Sequence, residues 1–202
     1  MNIAILIFDG AEELDFAGPW EVFTMVNTVL RMRKSEQRDH VYLVAEKTDA
    51  VVCAKGMRVV PDYSYETCPK ADVILVPGGQ GTRNQMTHAP TLAWIAEQAN
   101  HCTWVTSVCT GSMVLAAAGP ARGKRITTHW MAVDEVRKHG HAREVVTGQR
   151  WVADGNIVTS AGVSAGIDMA LWLVGQIYGA DIAASVVKAM EYDPAPPYPF
   201  QS

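Results

Sequence analysis

Cysteine is scarce in this sequence, with four in 202 residues, at Cys53, Cys68, Cys102 and Cys109. That is too few for a disulfide scaffold, and neither a C-x-x-C nor an H-x-x-H pair offers the spacing of a metal site, so free thiols and no metal are expected. Positive charge is equally sparse. Seventeen Lys and Arg against 21 Asp and Glu leave a net charge of −4, and beyond the short Arg31, Arg33, Lys34 cluster there is no basic block to release counterions from nucleic acid. Long apolar runs are missing as well. The richest stretch, Ala161 to Ala180, is broken by Ser164, Asp168 and Gln176, short of the roughly 20 uninterrupted residues of a bilayer span. At the start, Met1 leads without a basic segment into the apolar run Ile3–Phe8, closed by Asp9, which is neither a signal peptide nor an anchor. These absences exclude nucleic acid and membrane partners and point to a cytoplasmic protein. No repeat, low-complexity segment or linker divides the chain, and one domain spanning 1–202 is expected.

What is present is a large apolar inventory, 49% of residues with six tryptophans, too much to remain unfolded. Short Val- and Ile-rich runs without alternation recur at Ile3–Phe8, Val41–Ala45, Val73–Val76, Thr103–Val108, Ile126–His129 and Ile157–Ser160. Strands apolar on both sides belong in a parallel sheet covered on both faces. Helical patterns fall between them at Phe16–Arg33, Thr91–Ala99, Thr110–Ala118, Ala132–His139, Ser164–Tyr178 and Asp181–Met190; in the fifth, Ile167, Leu171, Val174 and Tyr178 form one buried stripe. The predicted fold class is α/β, a three-layer sandwich with a mostly parallel central sheet and helices on both faces. Val51–Val60, with Lys55-Gly56 between apolar arms, reads as a small β-hairpin appended to the main sheet, and Asp193–Phe200 is proline-rich enough to lie as an extended strap.

In an open parallel α/β sheet, reactive groups collect beyond the carboxyl ends of the strands. Asp15, Gly78-Gly79, Cys109-Thr110-Gly111 and His129 all fall at such points. Cys109 stands where a buried strand passes into an apolar helix, the elbow that presents a nucleophile in a strained turn. The helix terminus there is expected to lower the thiol pKa from about 8.5 toward 3.5–7.5. Cys53 and Cys102 read as inert buried residues, and Cys68, before Pro69, as a loop residue. Gly78-Gly79 serve a tight turn or, with the Thr110 amide, an anion hole built on the Gly79 N–H. Asp15 either caps the first helix or shares one proton with the thiol, since an ionised carboxylate within about 4–6 Å raises a thiol pKa. Glu12 and Glu13 read as solvated, and His129 as either a substrate ligand or a satisfied half-buried histidine.

The segments carrying these residues, ILIFDGAEELDFAGPWEV, VILVPGGQGTR, VTSVCTGSMVLAAAG, GKRITTHW, SAGVSAGIDMALWLV and MEYDPAPPYPF, resemble the DJ-1/PfpI superfamily, a class I glutamine amidotransferase-like fold. Within it the chain most resembles the isocyanide hydratase branch, which shares the LD-x-x-GP opening, the SVCTGS elbow, the TTHW strand and the proline-rich tail. The resemblance implies a cofactor-free enzyme with a small-molecule substrate, Cys109 as nucleophile, Asp15 as acid/base partner and Thr110 beside the sulfur. Gly78, Gly79, Gly111 and His129 would bind substrate, in a homodimer with its sites near the subunit interface. Two departures bear on activity: Thr110 replaces the histidine that follows the cysteine in the peptidase branch, and Asp15 replaces the glutamate of the DJ-1 and PfpI branches. The expected reaction is hydration of an isocyanide to an N-substituted formamide. Two other readings stand beside it: a thiol enzyme on reactive carbonyls of the glyoxalase III type, and a ligand or oxidant sensor akin to the sensor domains of AraC-type regulators. A regulator of that type would need a further helix-turn-helix domain of about 100 residues, which a chain ending at Ser202 is not expected to carry.

Overall fold

Strands that are apolar on both sides have one stable place, the middle of a covered sheet, and the computed structural model, which describes residues 1–194, puts them there. Seven strands run in the order β10 (Trp151–Asp154), β11 (Ile157–Ser160), β7 (Trp104–Val108), β6 (Val73–Val76), β1 (Asn2–Leu6), β2 (His40–Ala45), β5 (Tyr63–Ser64). Ile3 to Leu6 and all four residues of β6 are buried. Ile3 registers with Val41 on one side and Val73 on the other, and the pairing is parallel throughout except for β10 against β11.

Helices cover both faces. On one, α1 (Glu13–Met32), α6 (Ala165–Tyr178) and α7 (Ala180–Ala189) pack against each other; on the other lie α2 (Thr82–Gln85), α3 (Ala89–Ala99) and α4 (Gly111–Ala118). The expected stripe of α6 is borne out in part: Val174 is buried with Met169, Ala170 and Leu173, whereas Ile167, Leu171 and Tyr178 are half-buried. Helix α5 (Val133–His139) follows a short 3-10 turn, Trp130–Ala132. Among the described residues no helix is long and apolar enough to cross a membrane.

Three elements depart from expectation. The run Ile126–His129 does not join the main sheet. Only β8 (Arg125–Ile126) is extended, and it pairs in parallel with β9 (Glu144–Val145) in a separate two-stranded sheet. The cause is polar: the Thr127 amide donates to the side chain of Thr159 on β11 at 2.8 Å, and the Thr128 hydroxyl donates to the Cys109 carbonyl at 3.0 Å, which replaces ladder bonding. Second, β10 was not expected. It forms a hairpin with β11 around the two-residue turn Gly155-Asn156, where Gly155 has φ +68°, a positive φ that glycine adopts without strain. Third, the Val51–Val60 hairpin forms as β3 (Val51–Val52) and β4 (Arg58–Val59), but as its own sheet. It is tied to the loop after β1 by the bonds Gly10 N to Val52 O and Ala54 N to Ala11 O, both 2.8 Å. Of the strap expected at Asp193–Phe200, all beyond Pro194 lies outside the described residues.

Candidate active site

The carboxyl ends of β1, β6 and β7 converge on a single glycine. A Cβ placed on Gly78 would lie 2.7 Å from Cys109 Cβ, 2.7 Å from the Thr110 amide nitrogen and 2.8 Å from Asp15 Oδ2. Gly78 is therefore required because three site residues occupy the space where a side chain would stand. Gly111 has a related need, since its Cβ would meet the Val76 carbonyl at 2.1 Å.

Cys109 adopts φ +57°, a left-handed conformation that costs a non-glycine residue of the order of 1–3 kcal/mol. Its amide donates to the Ser160 and Ala161 carbonyls, both at 3.1 Å, which fixes the elbow against β11. The side chain is 7% exposed and lines a cavity of about 260 Å³ with Glu12, Gly79, Arg83, His129 and Met131. Asp15 is fully buried beside it in the first turn of α1. Glu12 holds the cap position, and the Asp15 carboxylate instead accepts the Gly78 amide through Oδ2 at 2.8 Å. The capping role is thus excluded. Oδ1 has no hydrogen-bond partner among the described residues, although it is buried.

The electrostatics invert the expectation for the thiol. Burial, and then the neighbouring Asp15 carboxylate, push Cys109 up to about 12, against the opposing pull of hydrogen bonds from the Thr110 amide and hydroxyl. The start of α4 does not prevail because the sulfur is desolvated. Burial also raises Asp15 from 3.8 to about 7, with the Gly78 hydrogen bond holding it down and Glu12 adding to the rise. Burial thus favours the protonated form of both groups, the thiol more strongly than the carboxyl.

The Gly79 amide does not stand free for an anion. It donates to Thr110 Oγ1 at 3.1 Å, while Thr82 Oγ1 donates to the Gly79 carbonyl at 2.8 Å. Its φ of +112°, and the 2.3 Å that would separate its Cβ from the Gly10 carbonyl, establish the tight-turn role. His129 faces the cavity and packs on Gly162. Its Nδ1 accepts the Met131 amide at 3.2 Å, and burial lowers its pKa and so favours the neutral ring. Glu12 and Glu13, expected in solvent, are half-buried and both meet Lys55 from the tip of the β3–β4 hairpin. Arg83, Gln80, Met131 and Val163 line the cavity without having been anticipated. Val163 shares with Cys109 a left-handed backbone, at φ +48°.

Cys53 and Cys102 are buried as expected, and burial pushes their thiols up to about 11 and about 12. Cys68 is half-buried against Tyr42 and the Pro69 carbonyl. Among the described residues no group of three or more His, Cys, Asp or Glu side chains is arranged to hold a metal ion.

A cysteine elbow against a buried first-helix carboxyl is the arrangement that the resemblance led one to expect, and sequence comparison agrees. The signature of the DJ-1/PfpI family matches residues 1–176. The chain belongs to the DJ-1/PfpI family. Among its DJ-1/PfpI relatives, an isonitrile hydratase of Pseudomonas putida is 39% identical over 98% of this chain and 81% of its own length. A Parkinson disease protein 7 homolog of Danio rerio is 29% identical over 90% and 92%. A solved THiJ/PfpI family structure from Pseudomonas syringae, 34% identical, superposes with a TM-score of 0.85 over 98% of this chain and 77% of that one.

Proposed function

We propose that this protein hydrates organic isocyanides to N-substituted formamides, with Cys109 as the nucleophile and Asp15 as the proton carrier. The observation that carries the reading is a buried Cys109 that lines a half-open cavity with the buried Asp15 carboxyl behind it, in a chain 39% identical to an isonitrile hydratase.

The ionised Asp15 takes the thiol proton as sulfur adds to the terminal isocyanide carbon, and returns that proton to the same carbon to give a thioimidate. Asp15, ionised again, then removes a proton from water attacking this carbon. Asp15 passes that proton to the nitrogen, so that the tetrahedral carbon bears sulfur, hydroxyl and amine, and the hydroxyl proton then moves to the departing sulfur. Collapse breaks the carbon–sulfur bond, restores the thiol and releases the formamide, so that one isocyanide and one water are consumed per product. Thr110, whose amide and hydroxyl lower the thiol pKa, stabilises the anionic character of the sulfur at departure. With the Gly79 amide occupied, Thr110 carries this role without it.

The thiol's high pKa fits this scheme, because a base adjacent to the sulfur generates the nucleophile at the moment of attack rather than in the resting site. A homodimer and a cytoplasmic location accompany the reading; sedimentation equilibrium tests the first. Activity is tested by incubating the purified protein with an aryl isocyanide and following the formamide. Turnover by wild type and its loss in Cys109→Ala are expected. A silent but folded wild type, or full activity in Cys109→Ala, contradicts the proposal. Lactate from methylglyoxal in a parallel assay would move the protein to the carbonyl-directed thiol enzymes.

A further inference from the structure

The cavity over Cys109 has two charged side chains on its walls, and both are already paired. Glu12 meets Lys55 of the hairpin. Arg83, which follows the glycine turn after β6, is held by Glu135 of α5: Nε donates to Oε1 at 3.1 Å and a terminal nitrogen donates to Oε2. Its remaining arm reaches Thr82 Oγ1 at 3.3 Å. Two parallel N–H to carboxylate bonds are the geometry in which a guanidinium recognises a carboxylate. Glu135 thus occupies the very face of Arg83 that a carboxylate ligand would use. Glu135 does not itself line the cavity. Its side chain and that of Arg83 are 36% and 39% exposed, so the pair can be separated without opening the core.

We propose that Glu135 is a specificity-determining residue: by engaging Arg83 in a two-pronged ion pair it withholds the guanidinium from the Cys109 cavity, so that the site accepts uncharged substrates and rejects carboxylates. With Arg83 paired to Glu135 and Glu12 to Lys55, the unpaired charge nearest the sulfur is that of Asp15, negative when ionised, and an anionic ligand gains nothing on entry. Release of Arg83 supplies a cation and a fork for a carboxylate. The inference rests on the reading that Cys109 is the reacting group, but its test does not depend on isocyanide turnover.

The test is alkylation of Cys109 by iodoacetate and by iodoacetamide, nearly equal in size but one anionic and the other neutral, with labelling rates read at Cys109 by peptide mass mapping. In Glu135→Gln the ratio of iodoacetate to iodoacetamide rates should rise about threefold or more, the scale of a partly exposed ion pair. In Arg83→Gln/Glu135→Gln it should fall back to or below the wild-type ratio. An unchanged ratio in Glu135→Gln overturns the inference. So does a rise that survives in the double variant, because that is the field of a lost negative charge and not the freed guanidinium. No labelling by either reagent in any variant also overturns it, since the cavity would then give no access to the sulfur. In parallel, kcat/KM for isocyanoacetate relative to its methyl ester should rise in Glu135→Gln. If neither compound turns over while the alkylation ratios behave as stated, the hydration reading fails and the specificity assignment stands.

Discussion

Replacing Asp15 by Asn should stabilise the protein above neutral pH, and the size of the effect follows from where the carboxyl sits. Burial raises its pKa from 3.8 to about 7 in the folded state. Well below pH 3.8 both folded and unfolded chains hold the proton and its contribution is fully present. As pH rises the unfolded chain releases the proton near 3.8, while the folded chain keeps it to about 7, so stability declines through that window and levels off above it. At roughly 1.4 kcal/mol per unit the loss is about 4 kcal/mol. Asparagine cannot ionise, and its side-chain oxygen still accepts the Gly78 amide in place of Oδ2. Asp15→Asn and wild type should therefore be about equally stable at pH 4 and diverge toward pH 8, with the variant the more stable by up to about 4 kcal/mol. Urea unfolding followed by tryptophan fluorescence from pH 4 to 8.5 measures this directly. A difference independent of pH, or a variant less stable than wild type at pH 8, refutes the reasoning.

Other outcomes follow from the same geometry. Gly78→Ala places a methyl within 2.8 Å of Cys109, the Thr110 amide and Asp15; it should cost about 1–3 kcal/mol in thermal unfolding and abolish turnover. Formamide production should rise with pH through about 7 as Asp15 ionises, and the pH–rate profile reads that midpoint. Lys55→Met removes a cation that favours the ionised Asp15, so the midpoint should move to higher pH while alkaline-limit activity is retained. Gly162→Ala puts a carbon 2.1 Å from the His129 ring; it should raise KM more than it lowers kcat if that ring positions substrate.

What a sequence makes legible depends on how local the cause is. The central strands could be read because burial on both faces leaves an unbroken apolar run, and Cys109 because a strand passes into a helix at that residue. The glycine turn at Gly78-Gly79 was legible as a turn, but its approach to Cys109 and Asp15 arises from packing across 31 and 63 residues and has no local sign. Arg83 and Glu135, separated by 52 positions, meet only once α5 has folded back beside α2. The run at Ile126 read as a sheet strand because its composition suits one; two threonines that bond sideways to Thr159 and the Cys109 carbonyl decided otherwise. The thiol's pKa was misjudged for a comparable reason: the helix terminus is a local feature, whereas the burial that outweighs it belongs to the assembled fold.

The central claim is that a carbon–sulfur bond forms at Cys109 during isocyanide hydration. A single-turnover reaction with a carbon-13-labelled aryl isocyanide, quenched in acid and mapped by peptide mass spectrometry, tests it most directly. The account predicts a transient adduct of the isocyanide mass on the Cys109 peptide, rising before the formamide and decaying as it appears. Formamide accumulating with Cys109 unmodified at every time point, or with the adduct on another residue, contradicts it.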